Sequence, residues 1–328
     1  MRLLIITQKV DRNDPILGFF HRWIEEFAKR YEKVTAICLK KGEYSLPPNV
    51  KVLSLGKPYF AKASQGAGKR LFSRIIYLIN FYKYIYKLRN DYDAVFVHMN
   101  QEYVLLAGDF WRLLGKKIYL WRNHARGNLL TRLAVLLSHK VFYTSPQSFT
   151  ARFNSPRRSL WRSAGKSIQM PAGIDTDFYR PDPLGVRIPN SFLFLGRIAP
   201  VKKVLEFVEW FNKLDEKFQA TVAGSALPKD KDYEELVQSR VSDRIKFIGA
   251  VSQEEARSLY QSHETYVNFT PAGSYDKTIL EAAACGTKVI VENPDLKNLE
   301  NKNGEELRKF VMENHSLIKL FNRLQFEL

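Results

Sequence analysis

Two cations in the second half of the chain could bind a diphosphate. Arg197 and Lys202 stand five residues apart, directly after an apolar run that ends at Leu195, and Gly196 lets the backbone turn there. A helix beginning at this point would add the partial positive charge of its amino terminus. The same spacing also fits two ordinary solvated loop residues, so the spacing alone leaves both interpretations open.

A second candidate site follows the apolar run Thr265–Phe269. There a Thr-Pro-Ala-Gly turn leads to Ser274, Asp276 and Lys277, which precede an apolar helix. The unpaired N–H groups of such a helix start can bind an anion. Glu281 lies within that helix, and a carboxylate in apolar surroundings needs a partner such as a ribose diol. An exposed glutamate on the outer face of the helix is the alternative.

Two histidines in the first half also follow apolar runs. His98 ends one run, close to Glu102, and could orient a substrate there. His124 follows the next run, close to Arg126. The other four histidines show no spacing typical of metal ligands, so we predict no metal site.

The elements that must position these residues are strands alternating with helices. Short apolar runs alternate with amphipathic stretches in both halves, which is typical of parallel sheets. The predicted strands are Arg2–Thr7, Lys33–Cys38, Lys51–Leu55, Ala94–His98, Lys117–Trp121, Lys140–Thr144, Ser191–Leu195, Gln219–Ala223, Arg244–Ile248, Thr265–Phe269 and Lys288–Val291. The predicted helices are one with its apolar face at Phe20, Trp23, Ile24, Phe27 and Tyr31, and others at Val201–Leu214, Asp230–Val241, Ser252–Gln261 and Lys277–Cys285. Ligands bind beyond the carboxyl ends of such strands, where the candidate residues lie.

The length of the chain predicts two domains. It has 328 residues, of which 45% are hydrophobic, more than one ordinary domain holds. Residues 171–190 are rich in Pro, Gly and Asp without a sustained period, so we expect the crossing between domains there. The two cysteines lie in apolar runs and predict reduced core thiols. No run approaches the roughly 20 apolar residues of a spanning helix, and we expect a cytoplasmic protein.

The excess positive charge lies in the first half. Residues 1–170 carry 30 Lys and Arg against 10 Asp and Glu, whereas the rest carries 21 against 24. Such asymmetry is typical of a lobe that meets nucleic acid or an anionic membrane, and a solvated basic surface is the alternative. Cations interleave with aromatic residues from Lys62 to Arg89, which fits either a helix at a membrane interface or a core helix with snorkelling lysines. A second basic cluster consists of Arg152, Arg157, Arg158, Arg162 and Lys166.

Several of these segments, in this order along the chain, resemble the GT-B glycosyltransferases, most closely the retaining group 1 type, also called family 4. The segments that carry the resemblance are His124, the GID at Gly173–Asp175, Gly196-Arg197 with Lys202, Ala223-Gly224-Ser225, Phe247–Gln261, and Gly273–Lys277 leading into LEAAACG. The resemblance covers essentially the whole chain. It implies a GT-B fold, that is, two Rossmann-like doubly wound parallel-sheet domains facing a central cleft.

The resemblance also implies an activity and a domain plan. The chain would transfer a hexose from a nucleoside diphosphate sugar to a glycan or lipid-linked acceptor, with retention of configuration and without a metal or resident cofactor. Residues 1–170 would bind the acceptor, residues 171–310 would bind the donor, and the last helix, 311–328, would return to the first domain. The protein would serve glycan biosynthesis in the cytoplasm, with peripheral attachment to the inner face of the cell membrane where the basic lobe meets it.

Site roles carry over by position. In the resemblance Arg197 and Lys202 stabilise the leaving diphosphate, and His124 lies beside the reacting sugar carbon. The implied donor-binding residues are Gly18, Arg197, Lys202, Gly249, Ser274, Asp276, Lys277, Thr278 and Glu281. Among these, Glu281 would hold the ribose. The implied acceptor-binding residues are His98, Glu102 and Arg126.

Three positions depart from the family pattern. Gly273 stands where a sugar-gripping glutamate is usual, eight residues before Glu281, so Asp276 would take over that role. Lys203 stands where glycine commonly follows the phosphate-loop lysine. Gly18 is a single glycine where two are common.

A rival hypothesis is a non-catalytic protein that binds nucleic acid or another polyanion on a GT-B-like scaffold. The charge favours it, but no nucleic-acid-binding motif appears, and it does not explain Arg197, Lys202 and Glu281 together. We therefore expect no nucleic acid partner. An epimerase or phosphorylase on the same fold is a third hypothesis.

Overall fold

The computed structural model describes residues 1–57, 67–154, 165–272 and 275–328, except for the side chains of residues 67–71. The chain forms two compact units, one of Met1–Met170 with Leu324–Leu328 and one of Pro171–Arg323. The first unit includes the last residues of the chain: the Tyr119 hydroxyl donates to the Leu328 carbonyl oxygen at 2.8 Å. Residue 310, where we predict the donor domain to end, lies within the helix Gly304–Asn314.

The first unit is a parallel sheet with helices. Its strands are β1 (Arg2–Val10), β2 (Lys33–Lys41), β3 (Val50–Ser54), β4 (Ala94–His98), β5 (Lys117–Trp121), β6 (Lys140–Tyr143) and β7 (Ser167–Gln169). Its helices are α1 (Phe19–Arg30), α2 (Ala67–Lys87), α3 (Gln101–Leu113) and α4 (Leu129–Leu137). Within the described residues the strand order is β3-β2-β1-β4-β5-β6-β7, with every pair parallel.

The second unit repeats the plan. Its strands are β8 (Ile188–Leu195), β9 (Gln219–Ala223), β10 (Ile245–Gly249), β11 (His263–Asn268) and β12 (Lys288–Val291). Its helices are α5 (Val204–Phe211), α6 (Lys231–Gln238), α7 (Gln253–Ser262), α8 (Lys277–Ala284), α9 (Gly304–Asn314) and α10 (Leu317–Glu327), the last of which ends in the first unit. The order of the described strands is β10-β9-β8-β11-β12, again with parallel pairs.

Both sheets are doubly wound. The strand order reverses between β1 and β4 in the first unit and between β8 and β11 in the second. In open parallel sheets, ligands bind outside the carboxyl ends of the strands at such a reversal. The α/β class predicted from the apolar periods is confirmed, and β8 and β11 carry the two loops that the sequence singles out for anion binding.

Two local features differ from the predicted elements. β7 lies in the stretch that we interpreted only as a basic cluster, because its three residues are too few to show an alternating pattern. The helix expected from Val201 begins at Val204, since Pro200–Lys202 forms a 3-10 turn and Lys203 adopts a left-handed conformation.

The basic segment around α2 has an inward and an outward face. Phe81 and Ile85 are 1% exposed and pack into the core of the first unit, whereas Phe72 and Ile79 are 65% and 59% exposed. The prediction of a core helix therefore holds only for the inward face of α2. In the part of the chain that the structure describes, no helix combines the length and the apolar character that a bilayer crossing requires.

The second basic cluster is described only in part. Arg157, Arg158 and Arg162 lie outside the described residues. Lys166 donates to two carbonyl oxygens at the end of α4, at 2.8 and 2.9 Å, and burial lowers its pKa. This lysine fastens β7 to α4, which is a structural role.

Candidate functional site

Three glycines form the carboxyl edge of β8, β9 and β10. The Gly224 N–H donates to the Gly249 carbonyl oxygen at 2.7 Å. A Cβ added to Gly224 would lie 1.8 Å from the carbonyl oxygen of Gly196, and the φ angle of Gly224 is +146°. Only glycine fits where two backbones approach so closely. This contact sets the loop that follows β8 against the neighbouring strand ends.

Arg197 follows this glycine edge directly. Its Nε atom is buried and has no hydrogen-bond partner among the described residues. A buried donor without a partner costs free energy, so such groups are rare and call for an explanation. An anionic oxygen from a ligand would be a strong acceptor for it.

Lys202 and Asp276 form an ion pair in which the side chains are 18% and 11% exposed. Lys202 Nζ donates to Asp276 Oδ2, and the same oxygen accepts from Asn268 Nδ2 at 3.0 Å and from Thr270 Oγ1 at 3.2 Å. Burial by itself would raise the pKa of Asp276, but Lys202 and the hydrogen bonds outweigh burial and lower it. Asp276 is therefore an ionised carboxylate at neutral pH.

The ion pair belongs to a wider polar network on β11. The Tyr266 hydroxyl lies 2.6 Å from Thr278 Oγ1 and 3.1 Å from the Leu195 carbonyl oxygen, which links β11 to α8 and β8. Asn268 Nδ2 donates to the Tyr266 hydroxyl at 2.9 Å. Sequence reasoning missed Tyr266, Asn268 and Thr270. The signal was a cluster of hydrogen-bonding residues at and just after the end of β11.

Asp276 precedes α8 without capping it. Its side chain makes no capping hydrogen bond to the first turn and is held by Lys202 instead. The first N–H groups of α8 are thus not engaged by this carboxylate. Ser274, which we also expected at this helix start, lies outside the described residues, as does Gly273.

Glu281 is buried within α8. It is 8% exposed, and the Tyr260 hydroxyl donates to its Oε2 at 3.2 Å. The alternative of an exposed glutamate on the outer face of the helix is therefore wrong. One turn earlier, Lys277 has a buried Nζ. Burial lowers the pKa of Lys277, and the Glu281 carboxylate opposes part of that shift.

In the first unit, His98 lies inside an aromatic cluster. It is 2% exposed, and its ring stacks on that of Phe20 with centroids 3.9 Å apart. Thr7 Oγ1 lies 3.4 Å from its Nδ1. These contacts are typical of a core histidine, and a direct contact with an acceptor would require the surrounding rings to move.

Three of the remaining candidates of the first unit lie at the surface, whereas Gly18 is buried. His124, Arg126 and Glu102 are exposed. Burial and the nearby Arg122 lower the pKa of His124, so this imidazole is neutral at neutral pH. Gly18 precedes α1 with a φ of −57°, a conformation open to any residue.

The cysteines are buried in the protein core, and His263 forms hydrogen bonds within its own unit. Cys38 and Cys285 are buried free thiols. His263 lies 2.9 Å from the Leu259 carbonyl oxygen through Nδ1 and 2.9 Å from Thr221 Oγ1 through Nε2. Within the described ranges, no group of three or more His, Cys, Asp or Glu residues could hold a metal ion.

The second unit matches a known family. Residues 189–321 match the profile of the family described as Glycosyl transferases group 1. The matched stretch includes the glycine edge, the Lys202–Asp276 pair and Glu281. No curated protein matches the chain at a significant level.

Solved structures extend the likeness to the whole chain. HepE of Anabaena, in complex with UDP and glucose, has a TM-score of 0.71 at 14% identity, over 100% of this chain and 99% of that chain. Sucrose-phosphate synthase of Thermosynechococcus elongatus has a TM-score of 0.71 at 14% identity, over 99% and 98% of the two chains. The lipopolysaccharide outer core galactosyltransferase WaaB, in its apo form, has a TM-score of 0.63 at 14% identity, over 100% and 99%. At these identities the likeness concerns the fold, and the predicted GT-B fold is confirmed.

One of the three departures from the family pattern, Lys203, lies within the matched stretch and has a backbone conformation typical of glycine. Lys203 has φ 53° and ψ 44°, the left-handed conformation that glycine adopts without strain. Its Nζ donates to Glu292 Oε2 at 2.7 Å. Lys203 thus forms the left-handed turn that leads into α5.

Proposed function

We propose that this protein is a retaining glycosyltransferase that moves a hexose from a nucleoside diphosphate sugar to a glycan or lipid-linked acceptor. The observation that carries the proposal is the cationic carboxyl edge of the second sheet. There the buried Nε of Arg197 has no partner among the described residues, and Lys202, five residues further along the chain, is paired with Asp276. Two cations fixed at a strand-end loop suit the diphosphate of such a donor.

These cations would act on the step that breaks the sugar–phosphate bond. Negative charge develops on the diphosphate as it leaves, and donors that are already in place stabilise that charge without reorganising. Arg197 would supply its Nε–H, and Lys202 would share its ammonium between Asp276 and a phosphate oxygen. The first N–H groups of α8 would add the helix dipole.

Other residues of the second unit would hold the rest of the donor. Glu281 would accept hydrogen bonds from the ribose, since it is a buried carboxylate already positioned by Tyr260. Asp276 would accept from a sugar hydroxyl through Oδ1, because Oδ2 is occupied by Lys202, Asn268 and Thr270. The structures of HepE with UDP and with UDP-glucose support a nucleotide sugar as the donor class. His124, which is exposed and neutral, would lie beside the reacting carbon.

The outward face of the first unit supports a lipid-linked acceptor at a membrane. On α2, Phe72 and Tyr86 are 65% and 61% exposed, and on α3 Leu113 is 87% exposed. The Tyr82 hydroxyl donates to a carbonyl oxygen of α3 at 2.8 Å, so the two helices form one surface. No acidic residue occurs between Glu43 and Asp91. A face of this composition suits an anionic bilayer, to which each nearby cation contributes about 1 kcal/mol.

The donor site is tested by nucleotide binding and turnover. We expect one of UDP, GDP, ADP or CMP, alone or as its common sugar conjugates, to raise the melting temperature of the full chain. Arg197→Ala and Lys202→Ala should lower donor turnover about 10²-fold to 10³-fold. Lys213→Ala is the matched control, since Lys213 is an exposed cation of the same unit. It should behave as the wild type.

Two outcomes would contradict the proposal. One is the absence of a shift with every nucleotide at millimolar concentration while the protein is folded. The other is donor turnover at the wild-type rate in the Arg197 and Lys202 variants. Retention on heparin at physiological salt, combined with no nucleotide shift, would favour the polyanion-binding protein instead.

A further inference from the structure

We propose that the first unit contains a binding site for an anionic oxygen group of the acceptor, a carboxylate or a phosphate, formed by Arg122 and the amino terminus of α3. That the anionic group belongs to an acceptor rests on the proposed function. The site itself rests on the side chains and backbone of the first unit alone.

Arg122 is a buried cation whose hydrogen bonds are incomplete. It is 8% exposed, and its Nη2 donates to the Arg126 carbonyl oxygen at 2.7 Å. Its Nη1 is buried and has no hydrogen-bond partner in the described parts of the chain. A guanidinium keeps its charge at neutral pH, and a buried charge whose hydrogen bonds are incomplete is costly. A ligand that supplies an anionic oxygen would complete both the hydrogen bonding and the charge.

The start of α3 offers further donors. The helix has 13 residues, and its N-cap residue, Asn100, makes no side-chain capping hydrogen bond. The first N–H groups of a helix carry partial positive charge and bind anions when they are not capped. Gln101 Oε1 is also buried without a hydrogen-bond partner in the described residues. A protonated phosphate or an acceptor hydroxyl beside the anion could donate to it.

Parallel pairing brings these two features together. β4 pairs with β5 so that His98 lies opposite Trp121, and the Met99 N–H donates to the Trp121 carbonyl oxygen at 2.7 Å. Arg122 therefore leaves β5 beside the turn that begins α3. Burial lowers the pKa of Arg122, and the Glu102 carboxylate in the first turn of α3 opposes part of that shift.

The chemistry favours a charged group over a neutral hydroxyl. A hydroxyl could accept one hydrogen bond from Nη1 but would add no negative charge to offset the buried guanidinium. A carboxylate or phosphate oxygen would accept from Nη1 and from the α3 N–H groups together, and such charge-assisted bonds are about twice as strong as neutral ones. Acidic sugars and phosphorylated acceptors both carry groups of this kind.

Calorimetry on the full chain can test the site with glucuronate, glucose 6-phosphate and glucose as probes. We expect at least one anionic probe to bind tenfold or more tightly than glucose. A preference for glucuronate identifies a carboxylate, and one for glucose 6-phosphate identifies a phosphate. Arg122→Gln should remove the preference, and Arg122→Lys should retain only part of it, because lysine keeps the charge but lacks the planar fork. UDP affinity, a property of the second unit, should not change in either variant.

The matched control is Arg132→Gln, which removes one exposed cation from α4 of the same unit. It should keep the preference for the anionic probe. An equal loss in this control, or no preference in the wild type, would assign anion binding to the diffuse basic surface and overturn the site. Failure of the wild type to bind any of UDP, GDP, ADP and CMP would instead refute the proposed function.

A spectroscopic measurement covers the case in which both Arg122 variants fail to fold. Amide spectra of the wild type should show shifts at residues 101–103 when glucose 6-phosphate or glucuronate is added, and not when glucose is added. The absence of these shifts would overturn the proposal without any variant.

Discussion

The carboxyl edges of the two sheets differ in the residues that form them. In the second unit the edge is a polar network in which Asp276 Oδ2 accepts from Lys202, Asn268 and Thr270. In the first unit the corresponding region encloses His98 among aromatic rings, with Phe20 stacked on it at 3.9 Å. Both residues are polar and follow apolar strands in the sequence. The contacts around a strand-end residue, more than its type, therefore decide whether it can meet a ligand.

Among the tests of this comparison, a change in the backbone packing of the second edge should have the largest effect. Gly224→Ala should lower the free energy of unfolding by about 4 kcal/mol, because its Cβ would meet the Gly196 carbonyl oxygen and its φ angle of +146° is strained for alanine. Urea denaturation measures the change. Gly249→Ala is the control: its φ is +75°, but nothing lies within 4 Å of the added Cβ, so about 1 kcal/mol is expected. Equal losses in the two variants would show that the close backbone contact does not stabilise this edge.

A histidine next to the second edge should make stability depend on pH. Burial lowers the pKa of His315 to about 4, and its Nε2 lies 3.4 Å from the Tyr275 hydroxyl. The unfolded chain takes up this proton near pH 6.5 and the folded chain near pH 4, so stability is complete above about pH 6.5 and falls as the pH is lowered toward 4. The loss approaches about 3 kcal/mol. The free energy of unfolding should be measured by urea denaturation at several pH values. For His315→Gln it should change with pH by about 3 kcal/mol less than for the wild type. Identical pH profiles would contradict the lowered pKa of His315.

The Lys202–Asp276 pair should show direct coupling. Lys202→Met leaves a largely buried carboxylate without its cation, and we expect a loss of about 2 kcal/mol at pH 7. Since the pKa of Asp276 is lowered in the fold, its stabilisation is present above the ordinary aspartate pKa and disappears as the pH falls below it. A double-mutant cycle with Asp276→Asn, measured by urea denaturation, should give a coupling of 1 kcal/mol or more in rough terms. Additive effects would show that the pair contributes nothing.

The loss of stability expected on replacing Lys202 also affects the comparison of donor turnover between variants. The variants Lys202→Ala and Arg197→Ala are not equivalent, because only the first removes the partner of a buried carboxylate. Lys202→Ala should therefore lose stability as well as activity. Turnover of the Lys202 variants must be compared at a temperature where each is folded.

The smallest effect is expected at the first edge. His98→Leu keeps a similar volume and loses mainly the stacking on Phe20, so we expect a cost of about 1 kcal/mol in urea denaturation. Donor turnover should be unchanged. A tenfold loss of turnover without loss of stability would show that His98 orients an acceptor after all, and that the two edges are more alike than their contacts indicate.

The sequence predicts the strands well and the pairing of polar groups poorly. Ala94–His98 and Lys117–Trp121 have the same bounds in the prediction and in the structure, because an apolar run flanked by polar residues is a local signal. β7 was not predicted, because its three residues do not form an apolar run flanked by polar residues. Lys203 was recognised as a departure from the family, but its left-handed conformation depends on the turn around it.

The sequence by itself determined most of the order of strands and helices, the α/β class, the loop that holds Arg197 and Lys202, and the helix that holds Glu281. Each of these depends on apolar periods or on residues close together along the chain. Only the tertiary structure decided that Lys202 pairs with Asp276, that Glu281 and His98 are buried, and that the Nη1 of Arg122 has no partner among the described residues. These outcomes depend on strand register and on contacts between residues distant in sequence, because the cost of burying a polar group depends on which partners the folded chain brings to it.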